Sequence, residues 1–217
     1  FLLANYKFRT WIIFAASETL KDSLCEEFGI RSILAQVWAS RMFRANDIQL
    51  FTDRKYDFCM VVRSVSNKRP DLYRQFIKAF GETHSIITIT PDLEIRSDNL
   101  FGLGHVIFNG NLDQIKSVYC QSKFIIHLSD YEGFGLPPLE AMGCGAIPLC
   151  RDSHGIRNYL YGDLEKLIMP FNEILETVSK QSFLLDFGNL QKPVIERFLS
   201  VDDQEFIRVL NSREPTC

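Results

Sequence analysis

Two glutamates eight residues apart, Glu132 and Glu140, flank a glycine-rich turn in the stretch Ser129-Asp130-Tyr131-Glu132-Gly133-Phe134-Gly135-Leu136-Pro137-Pro138-Leu139-Glu140-Ala141-Met142. Gly133 and Gly135 leave backbone N–H groups open to close approach by a ligand. Pro137 and Pro138 donate no hydrogen bonds but suit the first turn of a helix. The dipole of that helix faces whatever lies over Gly133 to Leu136, and an anion such as a diphosphate is favoured there. Carboxylates repel phosphate, so Glu132 and Glu140 suit hydroxyl groups, accepting charge-assisted hydrogen bonds from a sugar or ribose. A structural reading stands beside this one. Glu140 in a first helical turn gains ~0.3–1 kcal/mol from the dipole alone, and the glycines serve a tight turn.

The elements that position this loop follow from the apolar pattern. Short apolar runs at 11–16, 32–38, 58–62, 84–90, 105–108, 123–128 and 146–150 read as strands. Amphipathic stretches at 18–28, 70–80, 112–121, 137–142, 172–180 and 203–210 read as helices, the first capped by Ser17 and closed by Gly29. Residues 39–55 show little periodicity and read as a linker. Strands without strict alternation, separated by helices, imply a parallel sheet covered on both faces. The expected fold is therefore doubly wound α/β, with a mainly parallel sheet. Ligands of such sheets bind at the carboxyl ends of the strands, which points to the loops after Val62, Phe108, Leu128 and Leu149.

Composition narrows the classes. The chain has 217 residues, 46% hydrophobic and 24% charged, as a globular protein does. With 24 Lys and Arg against 27 Asp and Glu, its net charge of −3 gives no reason to expect a nucleic-acid partner. No two of the six cysteines have zinc-knuckle or redox-motif spacing, and Cys59, Cys144 and Cys150 lie in apolar surroundings that suit reduced, buried thiols. No apolar run approaches the roughly 20 residues of a membrane span. A cytoplasmic protein is expected. The histidines have no metal-ligand spacing, and His127 reads as a core or strand-end residue.

The string from Ser129 to Pro148 resembles the donor-site signature of retaining glycosyltransferases of family 4, which have the GT-B fold. The resemblance implies that Glu132 contacts the donor sugar, that Glu140 holds the ribose, and that the backbone of Gly133, Phe134, Gly135 and Leu136 sits at the diphosphate. Arg63 and Lys68, in Val-Arg-Ser-Val-Ser-Asn-Lys-Arg-Pro, stand where the family shows Gly-Arg followed by Lys-Gly. They would neutralise the nucleoside diphosphate leaving group; a solvated basic loop is the plainer reading. Val62 and Arg69-Pro70 depart from the family's glycines there. In Phe108-Asn109-Gly110-Asn111-Leu112-Asp113, Leu112 would pack near the base, while a helix N-cap at Asn111 or Asp113 explains the same residues.

By this resemblance the chain is the Rossmann-like, donor-binding C-terminal half of a GT-B enzyme, and its first residue, Phe1, suits a piece of something longer. Residues 1–48 would be a remnant of the acceptor-side domain plus linker, with Ser17-Glu18 as a family feature. Residues 49–190 would form the donor domain and 191–217 a helical tail. The expected reaction moves a sugar from a UDP- or GDP-sugar to a hydroxyl of a glycan or lipid-linked acceptor, with retention, in polysaccharide biosynthesis. No metal or other cofactor is expected. The missing N-terminal domain of the same enzyme would be needed for turnover, and a lipid-linked acceptor would bring the protein to the inner face of a membrane. The alternative is a non-catalytic nucleotide-sugar-binding or assembly module with the same fold.

Overall fold

The computed structural model describes residues 14–15, 18–30, 32–34, 41–180 and 182–201. The chain divides into two compact units, residues 1–37 with 203–217, and residues 38–202. In the first unit, β1 (Phe14–Ala15) pairs in parallel with β2 (Ile33–Leu34), and α1 (Glu18–Phe28) lies between them in sequence. These match part of the expected strand–helix–strand. The Ser17 cap, the remainder of the two strands and the 203–210 helix lie outside the described residues.

The second unit holds β3 (Tyr56–Val61), α2 (Pro70–Phe80), β4 (Ile86–Thr90), α3 (Leu93–Ser97) and β5 (His105–Phe108). It continues through α4 (Leu112–Gln121), β6 (Ser122–His127), α5 (Leu136–Gly143), β7 (Ile147–Cys150), α6 (Phe171–Val178), α7 (Phe183–Gly188) and α8 (Gln191–Ser200). The five strands are all parallel, in the order β5-β4-β3-β6-β7. The chain winds outward from β3 to β5, returns to β6 beside β3, and winds outward again. The strand order reverses between β3 and β6, and the carboxyl ends of these two strands are where such folds bind ligands.

Both faces of the sheet are covered, which is why its strands lack alternation. Phe58 and Phe124 pack on Phe76 of α2 and Phe183 of α7, with ring centroids 5.1 Å apart for Phe58–Phe76 and 4.6 Å for Phe124–Phe183. On the other face Cys59, Ile87 and Ile125 share a cluster with Val118 and Tyr119 of α4 and Ala141 of α5. Cys59, Cys144 and Cys150 are buried free thiols.

The stretch expected as a linker lies against this core. Phe43 and Phe51 are buried, and Arg54, 3% exposed, donates to the carbonyls of Ser122 (2.7 Å), Tyr119 (3.3 Å) and Cys144 (2.7 Å). One guanidinium thereby supplies donors to carbonyls at the C-terminal ends of α4 and α5. Among the described residues no helix is long and apolar enough to cross a membrane.

Candidate active site

The loop after β3 and the loop after β6 meet over the point where the strand order reverses. Ser66–Lys68 form a 3-10 turn, and Arg69 then takes a left-handed conformation (φ 53°) before Pro70 opens α2. The Asp130 N–H donates to the Asn67 carbonyl at 2.8 Å. Arg69 donates to both Asp130 (3.1 Å) and Asp71 (2.8 Å), and Arg151, just past β7, donates to Asp130 at 2.6 Å. Burial alone would raise the Asp130 pKa, but the two guanidinium groups outweigh it and hold the carboxyl below its ordinary value. This network ties three strand ends together. The sequence marks it only as polar residues placed where buried strands stop.

Within that frame Lys68 and Glu132, expected at the site from their surroundings in sequence, are brought together: Lys68 Nζ donates to Glu132 Oε1 at 2.6 Å. Glu132 is further fixed by its backbone, which donates to the Ser153 carbonyl at 2.9 Å. Gly155 is required by the same packing. A Cβ there would meet the Glu132 carbonyl oxygen and the Phe134 nitrogen at 2.6 Å, and both are backbone atoms that cannot swing away.

Gly133 to Leu136, where a diphosphate cradle is expected, form the turn into α5. Gly135 is the N-cap of α5 and sits at φ 81°, where a side chain would be strained. Its carbonyl accepts from Tyr159 Oη at 2.7 Å, a contact with no signal in the sequence. Phe134 turns inward against Tyr159 with ring centroids 5.5 Å apart, so it serves the site through its backbone. Pro137 and Pro138 occupy the first turn of α5. Among the described residues the N–H groups of Gly133, Phe134, Gly135 and Leu136 donate to no protein acceptor. Four free donors thus gather at the positive end of a helix.

Glu140, one turn into α5, has no hydrogen-bond or ion-pair partner among the described residues. Burial raises its pKa to about 7, because the charged form loses hydration and gains no compensating contact. Among the described residues no protein donor competes for its oxygens.

Arg63 lies in the same loop, 48% exposed, with Nε donating to Asp92 Oδ2 at 3.1 Å. The Ser64 N–H also donates to that oxygen, at 2.6 Å, and holds Asp92 below its ordinary pKa. Leu112 is 54% exposed at the start of α4. The helix-cap reading of its neighbours is what the structure shows: the Asn111 side chain accepts from the Gln114 N–H and the Gln114 side chain from the Asn111 N–H, both at 2.9 Å. His127, the last residue of β6, is 4% exposed, and its Nε2 lies 3.4 Å from Glu132 Oε1. Burial pushes its pKa down to about 4, so the ring is neutral and this contact is not an ion pair.

Residues 91–196 match the family described as Glycosyl transferases group 1. The O-antigen chain mannosyltransferase RfbU of Salmonella typhimurium is 25% identical over 165 residues, covering 70% of this chain and 45% of RfbU. The serotype-specific mannosyltransferase WbdA of Escherichia coli is 44% identical over 59 residues, which are 25% of this chain and 7% of WbdA. Among solved structures, the pneumococcal O-GlcNAc transferase GtfA in complex with UDP and GlcNAc is similar with a TM-score of 0.64 at 16% identity, over 92% of this chain and 44% of GtfA. Anabaena HepE in complex with UDP and glucose gives 0.60 at 16% identity, over 93% of this chain and 63% of HepE. The chain spans less than half the length of RfbU. The parallel sheet and its helices share the Rossmann-like fold of these glycosyltransferase structures, and residues 91–196 of the same unit match the glycosyl transferase family.

Proposed function

We propose that this chain is the donor-binding half of a retaining glycosyltransferase of the family 4 kind, acting on a nucleoside-diphosphate sugar. The observation that carries the reading is the set of four unpaired N–H groups at Gly133 to Leu136, with ionisable Glu132 and Glu140 on either side. A diphosphate between two hydroxyl-rich groups, sugar and ribose, has that pattern of acceptor and donors. Glu140 takes the ribose, Glu132 the sugar, and Leu112 borders the base. Gly133, Phe134, Gly135 and Leu136 act through their amides.

In this reading Arg63 and Lys68 leave Asp92 and Glu132 to meet the charge that develops on the departing diphosphate, and the amides of the cradle share it. The acceptor hydroxyl attacks the anomeric carbon from the face the diphosphate leaves, so configuration is retained. The UDP in the neighbouring structures supports a UDP-sugar, and the family resemblance admits a GDP-sugar as well. The acceptor is a glycan or lipid-linked hydroxyl, and the acceptor-side domain completes the cleft. The reading assigns charge neutralisation to cations and amides and calls on no metal.

A thermal-shift panel with UDP, GDP, ADP, CMP and NAD on the wild-type chain and Glu140→Ala tests it. One nucleoside diphosphate at 100 times its Kd adds about 2.7 kcal/mol, or roughly 5–10 °C for a chain of this size. The shift should shrink in Glu140→Ala. No shift with any nucleotide counts against the donor site.

A further inference from the structure

The Nε2 of His127 is sealed from solvent and makes no hydrogen bond, yet it stands 3.4 Å from Glu132 Oε1. A buried polar atom without a partner calls for an explanation. The oxygen it faces is held at 2.6 Å by Lys68 Nζ. On the glycosyltransferase reading, Lys68 turns to a phosphate oxygen when the donor binds. Glu132, only 13% exposed in its side chain, then loses its cation just when it must accept from sugar hydroxyls. The neighbouring Tyr73 Oη cannot step in. It already accepts from the Leu128 N–H at 3.0 Å and donates to the Ile126 carbonyl at 3.4 Å. Lys68 and Glu132 are the charged groups acting on the imidazole.

We propose that His127 is a positioning residue of the sugar subsite: as Lys68 moves to the diphosphate, the His127 Nε2–H takes over Glu132 Oε1 and keeps that carboxylate aimed at the sugar. The exchange uses the tautomer with its proton on Nε2. A neutral ring can make the exchange without bringing a second positive charge beside Lys68. The inference rests on the reading above and extends it to a residue that the sequence marks only as a strand-end histidine.

Calorimetric titration of UDP, UDP-glucose, GDP and GDP-mannose into wild type, His127→Leu and His127→Gln tests it. In His127→Leu the nucleotide sugar should bind about fivefold more weakly, the equivalent of one hydrogen bond, while the matching nucleoside diphosphate, which draws Lys68 away but brings no sugar for Glu132 to hold, should be weakened less. Gln places an N–H near the Nε2 position, so His127→Gln should restore most of the difference. Equal weakening of both ligands, no weakening of either, or a Gln variant no better than Leu overturns the inference. A wild type that binds the diphosphate but gains nothing from the sugar overturns it alone, whereas a wild type that binds neither overturns the glycosyltransferase reading as well.

Discussion

Replacing Glu140 by Gln should make the protein more stable at high pH and leave it unchanged at low pH. Burial raises the Glu140 carboxyl to about 7 from an ordinary value of 4.5, and no partner compensates. Between those values the folded protein holds a proton that the unfolded chain releases, so stability falls as pH rises from about 4.5 to about 7 and is flat above. At 1.36 kcal/mol per unit, the fall amounts to at most about 3 kcal/mol, and water reaching the half-buried group lowers it to ~2 kcal/mol. Gln has the same shape and never ionises. Melting curves of wild type and Glu140→Gln from pH 4 to 9 should therefore coincide at pH 4, diverge between about pH 4.5 and about pH 7, and keep a constant separation above. By pH 8 the variant should lead by roughly 4–8 °C. Nucleotide affinity should move the opposite way, rising through pH 7 in the wild type and staying low and flat in the variant, because only the ionised carboxylate is a strong acceptor of ribose hydroxyls. Parallel melting curves across the whole range would refute the claim that Glu140 is an uncompensated carboxylate. Equal nucleotide affinities would refute its assignment to the ribose.

Three further outcomes follow from the same geometry. Lys68→Met strands a mostly buried carboxylate and should cost about 1–3 kcal/mol by urea melts, while Lys68→Met with Glu132→Gln should recover that stability without recovering nucleotide binding. Gly133→Ala meets open space and should leave the melting point within about 1 °C yet weaken nucleotide binding, whereas Gly155→Ala drives a Cβ against two backbone atoms at 2.6 Å and should lose about 1–3 kcal/mol. His154 holds φ 63° and ψ −64°, a conformation that disfavours any side chain, so His154→Gly should stabilise the chain by ~1 kcal/mol in thermal melts.

The regular elements were legible where periodicity and punctuation agreed. Pro70 opens α2 at its expected first residue, and α4 and β5 have the expected bounds, because each follows a turn residue and carries a clear apolar face. The five-residue α3 and the six-residue α7 were not, since each is too short to show a period, whereas α8 falls within the helical tail expected over 191–217. Residues 39–55 misled for a different reason: Phe43, Phe51 and Arg54 are buried by long-range contacts, and Arg54 finds its acceptors 65, 68 and 90 residues away. At the site, spacing along one loop singled out Glu132, Gly133, Gly135 and Glu140. Pairing between loops was invisible to it. Nothing local marks Asp130 as the shared acceptor of Arg69 and Arg151, or Asp92 as the partner of Arg63.

That pairing changes how an anionic ligand must bind. Of the cations at the carboxyl edge, Arg63 is taken by Asp92, Lys68 by Glu132, and Arg69 and Arg151 by Asp130, so their charge is largely neutralised within the protein. The chain as a whole carries −3 and offers a diphosphate no long-range attraction. Binding at the Glu132 loop must then start from groups that are free there beforehand, which among the described residues include the amides of Gly133 to Leu136 at the positive end of α5. These four cations join only by giving up an acidic partner, and each exchange returns part of what it gains. Among the described residues, the non-glycine residues with positive φ, Arg69, Asn109 and His154, all lie in loops at this same edge, where backbone strain is retained when a site needs an unusual loop shape. Preformed amides set the position of the diphosphate, and exchange of Lys68 from Glu132 links the arrival of its charge to the release of the carboxylate that faces the sugar.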